Sequence, residues 1–216
     1  MIFIELVDSL RCLEPHEETW LVASVSRMDG RDIVDGTLGC PICRREYPIR
    51  QSVGWFMSDS RAATGRLTPV RAADDDDRLM RAAALLGLAD AGGIVALGGP
   101  WTEVANRLPA LGVAHVVVLN AAPSDEHPQE VSALVVGDQL PFRQGGLRGV
   151  ALGGDTATST LVSSAATVLR SRGRLVAPSD VAVPPDITEL ARDAADWVGE
   201  RAVVASPPIA LRSSRR

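Results

Sequence analysis

Gly92-Gly93-Ile94-Val95-Ala96-Leu97-Gly98-Gly99-Pro100 decides the fold of this chain. Four apolar residues between glycine pairs are too few for a helix and enough for a buried strand, and the second pair makes a tight turn out of it. The next apolar stretch, Val113-Ala114-His115-Val116-Val117-Val118-Leu119, is nearly continuous, as in a parallel strand covered on both faces. Between the two, 102–111 reads as a helix. A helix over 78–88 precedes the unit. It is opened by the aspartates Asp74 to Asp77, where the helix dipole favours negative charge, and stopped by Asp90-Ala91-Gly92-Gly93. Downstream the pattern predicts strands over 131–136 and 149–152, a helix over 158–170 ending at Gly173, and a strand over 174–177. A helix over 187–197 and a hairpin pairing 202–205 with 209–212 complete it. Such alternation predicts an α/β protein with a doubly wound, Rossmann-type sheet.

Before residue 60 the rhythm differs. Short strands are expected over 20–26, 36–40 and 46–49, with Met28-Asp29-Gly30 as a turn. The expected organisation is a small β-rich zinc-ribbon module over 1–58, a linker over 59–77 and the α/β domain over 78–216.

The module carries a metal-binding pattern. Cys40-Pro41-Ile42-Cys43 puts two thiolates on one tight turn, half of a tetrahedral shell. Cys12-Leu13-Glu14-Pro15-His16 offers the other half, so Cys12, His16, Cys40 and Cys43 form the expected zinc set and use every cysteine in the chain. Glu14 or a water is the alternative to His16. A redox pair at Cys40 and Cys43 is the competing reading, but the step does not open a helix after a core strand. A module of about 60 residues buries little surface, and structural zinc supplies roughly 10–16 kcal/mol of apparent binding free energy to such folds.

Two resemblances follow. Met1-Ile2-Phe3-Ile4 with Leu10-Arg11-Cys12, and the stretch Asp35-Gly36-Thr37-Leu38-Gly39-Cys40-Pro41-Ile42-Cys43-Arg44-Arg45-Glu46-Tyr47-Pro48-Ile49, resemble the small zinc-binding activator subunit of tRNA, rRNA and release-factor methyltransferases. His16 departs from that pattern, where a cysteine is usual. The resemblance implies a helper that adds strands to the sheet of a catalytic partner. In the second domain the glycine stretch of the opening paragraph, Gly137-Asp138-Gln139-Leu140-Pro141-Phe142, and Ala166-Thr167-Val168-Leu169-Arg170-Ser171-Arg172-Gly173-Arg174-Leu175-Val176 resemble, in order, motifs of class I S-adenosylmethionine-dependent methyltransferases.

That second resemblance implies S-adenosylmethionine as cofactor, with Gly98 and Gly99 at its methionine part, Asn120 at the ribose and Asp138 at the adenine. The same motifs look eroded. Ala96 stands where the family has an acid, Pro100 where it has a glycine with Trp101 behind it, and Asn120 where an acid would accept both ribose hydroxyls. No polar catalytic cluster lies in Leu147-Arg148-Gly149-Val150-Ala151-Leu152-Gly153-Gly154, and Asp155 reads as a helix cap. Gly98-Gly99-Pro100-Trp101 does not make the dinucleotide fingerprint. His115 reads as a core histidine and His127 as a solvated one.

Composition bounds the rest. All 22 basic residues are arginine, which excludes lysine chemistry. The net charge of −5 argues against a protein coated for nucleic acid. The stretch 44–71 nonetheless carries Arg44, Arg45, Arg50, Arg61, Arg66 and Arg71 against Glu46 and Asp59, and reads either as a solvated face or as an RNA- or partner-contacting patch. No apolar run reaches the ~20 residues that span a bilayer. With no secretory pattern at the start, the expectation is a cytoplasmic protein with no membrane partner. The leading functional expectation is a non-catalytic zinc protein with a degenerate methyltransferase fold (a pseudoenzyme with no catalytic residue assigned). It would bind or stabilise another protein, such as a methyltransferase or a complex containing one. The alternatives are an active S-adenosylmethionine-dependent methyltransferase helped by its zinc module in cis, and a small-molecule- or nucleotide-binding domain.

Overall fold

The computed structural model describes residues 2–57, 67–69, 75–122 and 130–203. Within them the N-terminal part holds β1 (Ile2–Phe3), β2 (Val22–Asp29), β3 (Asp32–Gly39), β4 (Glu46–Arg50) and β5 (Val53–Phe56). After β6 (Thr68–Pro69) and helix α1 (Asp76–Leu86) come β7 (Ile94–Gly98), β8 (His115–Leu119), β9 (Ala121–Ala122), β10 (Val131–Val136) and β11 (Leu147–Ala151). Helix α2 (Ser159–Val168), β12 (Leu169–Pro178), β13 (Ile187–Arg192) and β14 (Asp196–Arg201) complete the order. No helix among the described residues is long and apolar enough to cross a membrane.

Twelve of these strands form one sheet, ordered β1-β3-β4-β5-β10-β8-β7-β11-β12-β14-β13, with β2 on the free side of β3. From β10 to β12 the strands are parallel. Counted from β7, they run third, second, first, fourth, fifth, which is the doubly wound order whose direction reverses between β7 and β11. Antiparallel β14 then lies between β12 and the last strand, β13. The α/β, doubly wound sheet expected from the sequence is therefore present.

The strands are buried on both faces because alternate residues feed two cores. Val95, Leu97, Val116, Val118 and Ala133 pack with Leu79, Ala82 and Leu86 of α1 on one side. Ala96, Val117, Leu134 and Val150 pack with Leu161, Val162 and Ala165 of α2 on the other. Each helix starts on a side-chain cap. Asp75 accepts from the Arg78 N–H at 3.1 Å, with Asp76 and Asp77 in the first turn of α1. The Thr158 hydroxyl accepts from the Leu161 N–H at 3.2 Å. Asp155 does not cap α2; it is exposed in the 3-10 turn Gly154–Thr156.

Three expectations of local structure are corrected. The span 102–111 is not an α-helix but two 3-10 stretches, Gly99–Val104 and Leu108–Leu111. Pro109 has no amide to donate back to the preceding turn, and Gly112 ends the second stretch at φ 87°. The span 187–197 is not a helix but most of the β13–β14 hairpin. It is closed by Asp193, whose Oδ1 accepts from the N–H groups of Ala195 and Asp196 at 2.9 Å each; this aspartate turn overrides the helical spacing. The helix expected to run to residue 170 stops at Val168, and Gly173 lies inside β12. Residues 202 and 203 of the expected hairpin lie in no strand; the rest of that hairpin, most of the linker, Arg61, Arg66, Arg71 and His127 lie outside the described residues.

The N-terminal module is joined to the sheet by hydrogen bonds. β5 pairs in parallel with β10, Val53 beside Ala133 through Phe56 beside Val136. Chain 137–146, between β10 and β11, forms no helix. The 3-10 stretch Ile4–Ser9 supplies cover instead, with Leu6, Val7 and Leu10 in the same core as Leu134 and Val136. The Arg11 N–H bonds the Pro141 carbonyl at 2.9 Å, and the Arg143 N–H bonds that of Ser9 at 3.0 Å.

Candidate functional site

The turn between β3 and β4 carries Cys40 and Cys43 and lies at the carboxyl end of the parallel strands, beside the chain that leaves β10. There the Leu10–Phe142 bridge brings the N-terminal segment in, and Cys12 and His16 complete a cluster. One ligand atom from each of Cys12, His16, Cys40 and Cys43 lies within 4.8 Å of every other. Cys12 Sγ and Cys43 Sγ are 3.6 Å apart, and Cys40 Sγ and His16 Nε2 are 3.3 Å apart. A tetrahedron with arms of about 2.3 Å to sulfur and 2.0–2.1 Å to nitrogen has edges of roughly 3.5–3.8 Å. Three thiols and one imidazole at these separations fit a zinc site.

The surroundings prepare these atoms for a metal. His16 donates from Nδ1–H to the Glu17 carbonyl at 2.6 Å. That bond raises the imidazole pKa and leaves the Nε2 lone pair facing Cys40, the usual orientation of a ligating histidine. Burial works to raise the Cys40 thiol, but backbone N–H groups of Cys43 and Ile42 outweigh it and bring the thiol down to about 7. Cys12 is raised by burial. Glu14, the alternative ligand, turns instead toward Arg45 at 3.9 Å.

Tyr47 was not legible as part of this site. Its oxygen accepts from the Leu13 N–H at 3.0 Å and lies 3.4 Å from Cys12 Sγ. Its ring stacks on Phe56 of β5 with centroids 4.7 Å apart. One buried side chain thus links the first cysteine loop to the strand that meets β10. The Tyr47-Pro48 step was visible, but nothing local in it points at Cys12.

The four residues assigned to a cofactor fall at the carboxyl ends of β7, β8 and β10, three adjacent strands. Gly98 ends β7 opposite Leu119; a Cβ there would sit 2.3 Å from Thr156 Oγ1. Gly99 has φ +63°, and a Cβ on it would sit 2.1 Å from the Gly153 carbonyl oxygen. Both glycines thus face the turn after β11 at close range. Pro100 and Trp101 pack on Gly153 beside it. Asn120 has φ 56° and is committed to β10. Its N–H bonds the Leu134 carbonyl at 2.9 Å, and its Oδ1 accepts from the Val136 N–H at 2.8 Å. Asp138 is exposed, accepts from the Thr160 hydroxyl at 3.4 Å, and faces a groove of about 710 Å³ that it shares with Cys12 and His16.

A smaller cavity of about 340 Å³ opens at the reversal between α1, Pro100-Trp101 and Gly153-Gly154. Both of its arginines are ion-paired: Arg78 with Glu103, and Arg81 with Asp193 at 2.8 Å and Asp196 at 2.9 Å. Backbone N–H groups of Asp196 and Ala195, with Arg81, hold Asp193 at about 2. His115 lies in the core at the other end of the sheet. It is stacked on Phe3 with Nε2 2.8 Å from Ser132 Oγ, and burial lowers its pKa to about 4. Of the arginine-rich stretch, Arg44 and Arg50 are exposed and flank opposite ends of β4, while Arg45 lies over the Tyr47 ring.

No family model matches this sequence, and no curated protein matches it. Similar solved structures are class I S-adenosylmethionine-dependent methyltransferases. Geranyl diphosphate C-methyltransferase from Streptomyces coelicolor is 14% identical, with 52% of this chain and 54% of that one covered, at a TM-score of 0.35. The antibiotic-resistance methyltransferase Kmr is 10% identical, with 64% and 99% covered, at 0.37. An S-adenosylmethionine-dependent methyltransferase from Mesorhizobium loti is 15% identical, with 56% and 73% covered, at 0.35. The chain spans about half the length of the geranyl diphosphate enzyme. The likeness concerns the fold.

Proposed function

We propose that this chain is a non-catalytic zinc protein that binds or stabilises another protein, a methyltransferase or a complex containing one. In this reading Cys12, His16, Cys40 and Cys43 hold a structural zinc, and the zinc-held strands, which resemble the small methyltransferase activator, are fused to a degenerate methyltransferase-type sheet. The metal supplies folding free energy and no chemistry, since four protein ligands leave no open position.

The observation that carries this reading is the contact between Gly98-Gly99 and Gly153-Thr156. A Cβ on Gly98 would meet Thr156 and one on Gly99 the Gly153 carbonyl, so both glycines serve backbone packing at the reversal point where doubly wound sheets bind ligands. The residues that would have to hold the cofactor are engaged elsewhere, Asn120 with β10 and Asp138 at a separate groove. The test is calorimetric titration of the zinc-loaded chain with S-adenosylmethionine and with S-adenosylhomocysteine. The expected result is no heat of binding up to millimolar ligand from a protein shown to be folded. Micromolar binding of either ligand would replace this reading with an active methyltransferase carrying its activator in cis.

A further inference from the structure

The four metal-site atoms fall into two close pairs, and each pair joins the two ligand loops. Cys12 Sγ lies 3.6 Å from Cys43 Sγ, and Cys40 Sγ lies 3.3 Å from His16 Nε2. The three sulfurs differ in their surroundings. Cys40 is 3% exposed, and its sulfur takes backbone N–H groups of Cys43 and Ile42 while it faces the imidazole. Cys12 is half-buried, with the Tyr47 hydroxyl 3.4 Å from its sulfur. Cys43 is exposed, between the exposed Ile42 and Arg44.

We propose that Cys43 is a site of peroxide oxidation and Cys12 its resolving partner, so that under oxidant the cluster exchanges its zinc for a Cys12–Cys43 disulfide. This rests on the zinc reading above and adds a redox control to it. Cysteines that ligate a metal are thiolates already, so access decides which reacts first, and Cys43 is the exposed one. Its sulfur attacks a peroxide oxygen. The O–O bond breaks, a sulfenic acid forms, and the departing hydroxide takes a proton to become water. The Cys12 thiolate then attacks the Cys43 sulfur; the S–S bond forms, the S–O bond breaks, and the second hydroxide takes a second proton. Two thiolates, one hydrogen peroxide and two protons thus give one disulfide and two waters, with two electrons passing from sulfur to oxygen. The sulfurs, 3.6 Å apart, must close to about 2.05 Å, a short movement that the exposed Cys43 side chain can supply. Cys40 and His16 then remain as two donors of four, too few for a structural zinc site. A Cys40–Cys43 bridge would instead take Cys40 from its N–H donors and imidazole and would close only the turn. The Cys12–Cys43 bridge spans 31 residues and keeps both ligand loops joined after the metal leaves, so that reduction restores the site.

The wild-type chain serves for the test, because every cysteine variant removes a ligand. Zinc per chain is measured first, under reducing conditions. A chain that purifies without zinc would overturn the zinc reading, and this one with it, before any oxidant is added. Hydrogen peroxide is then added, released zinc is followed with a metallochromic dye, free thiols are counted in denaturant, and tryptic peptides are mapped without reduction. The expected results are release of the bound zinc, a fall from three free thiols to one, and a link between peptides 12–27 and 32–44 that fragmentation assigns to Cys12 and Cys43. Dithiothreitol with added zinc is expected to return the three thiols and the metal. Zinc retained after oxidation, a bridge that uses Cys40, or a release that reduction does not reverse would overturn the proposal while leaving the zinc site in place.

Discussion

The zinc cluster and the switch-point crevice lie at the same end of one sheet, and they differ in what their polar atoms are doing. In the cluster, four donors from two distant loops converge, and supporting groups orient them: the Glu17 carbonyl on His16 and the Tyr47 hydroxyl beside Cys12. These neighbours bond the ligand atoms without drawing them apart, and all four still face one another. At the switch point, groups of the chain itself meet Gly98, Gly99 and Asn120, while Asp138 stays exposed. Thr156 fills the space over Gly98, Gly153 the space over Gly99, and Val136 occupies the Asn120 oxygen. A site that still awaits a ligand keeps unsatisfied, convergent donors. Where the chain's own atoms meet the glycines, those glycines report backbone packing. Glycines alone do not tell the two apart; the atoms facing them do.

The comparison can be broken most forcefully at the cluster. Removing zinc with a strong chelator, or substituting Cys40→Ser or Cys43→Ser, forfeits an apparent contribution on the order of 10 kcal/mol. The expected outcome is loss of bound metal together with loss of the β3–β4 hairpin, read by metal analysis and by amide exchange at residues 36–49. Retention of exchange protection without metal would make the cluster incidental.

At the crevice, Gly99→Ala introduces a Cβ at positive φ into the Gly153 carbonyl. It should destabilise by about 2–5 kcal/mol, the sum of left-handed strain and overpacking. Gly98→Ala should also destabilise, and Thr156→Gly should restore part of that loss, since the clash is with the threonine side chain. Thermal unfolding of the single and double variants measures both. If either glycine tolerates alanine without loss, the crevice is open and the contrast with the cluster disappears.

The pH dependence sharpens the same contrast by separating core from site. His115 is 5% exposed and its pKa lies at about 4, below the ordinary 6.5. The folded state therefore favours the neutral ring. Its contribution is full above pH 6.5 and is lost as pH falls toward 4, a difference of about 3 kcal/mol. Denaturant unfolding should show this slope in the wild-type chain, and a flatter one in His115→Gln at equal zinc content. The smallest effect is expected from Asn120→Asp, which restores the acid of the methyltransferase pattern. An aspartate keeps the acceptor for the Val136 N–H and tolerates the left-handed backbone. Stability should change by less than about 1 kcal/mol, and no affinity for S-adenosylmethionine should be gained; gain of binding would mean that one missing acid, not closure, disabled the site.

Much of the sheet could be read from local pattern. Ile94–Gly98, His115–Leu119 and Val131–Val136 are largely apolar, and Asp75 announces α1. The proposed zinc set was legible because the chain has only three cysteines and three histidines, and only His16 lies near a cysteine in sequence. What escaped was tertiary in origin. β5, Val53-Gly54-Trp55-Phe56, is short and ambiguous alone, and becomes a strand because β10 pairs with it. The β13–β14 hairpin depends on a single aspartate turn that helical spacing conceals. The packing over Gly98 and Gly99 comes from Thr156 and Gly153, more than fifty residues away, and no window of sequence contains both.

The most direct test of the proposed zinc site is zinc X-ray absorption on the purified chain with metal content measured in parallel. One zinc per chain, with three sulfur ligands at about 2.3 Å and one nitrogen ligand at about 2.0–2.1 Å, is the predicted result. A chain that folds without metal, or a zinc shell with fewer than three sulfurs, would contradict it.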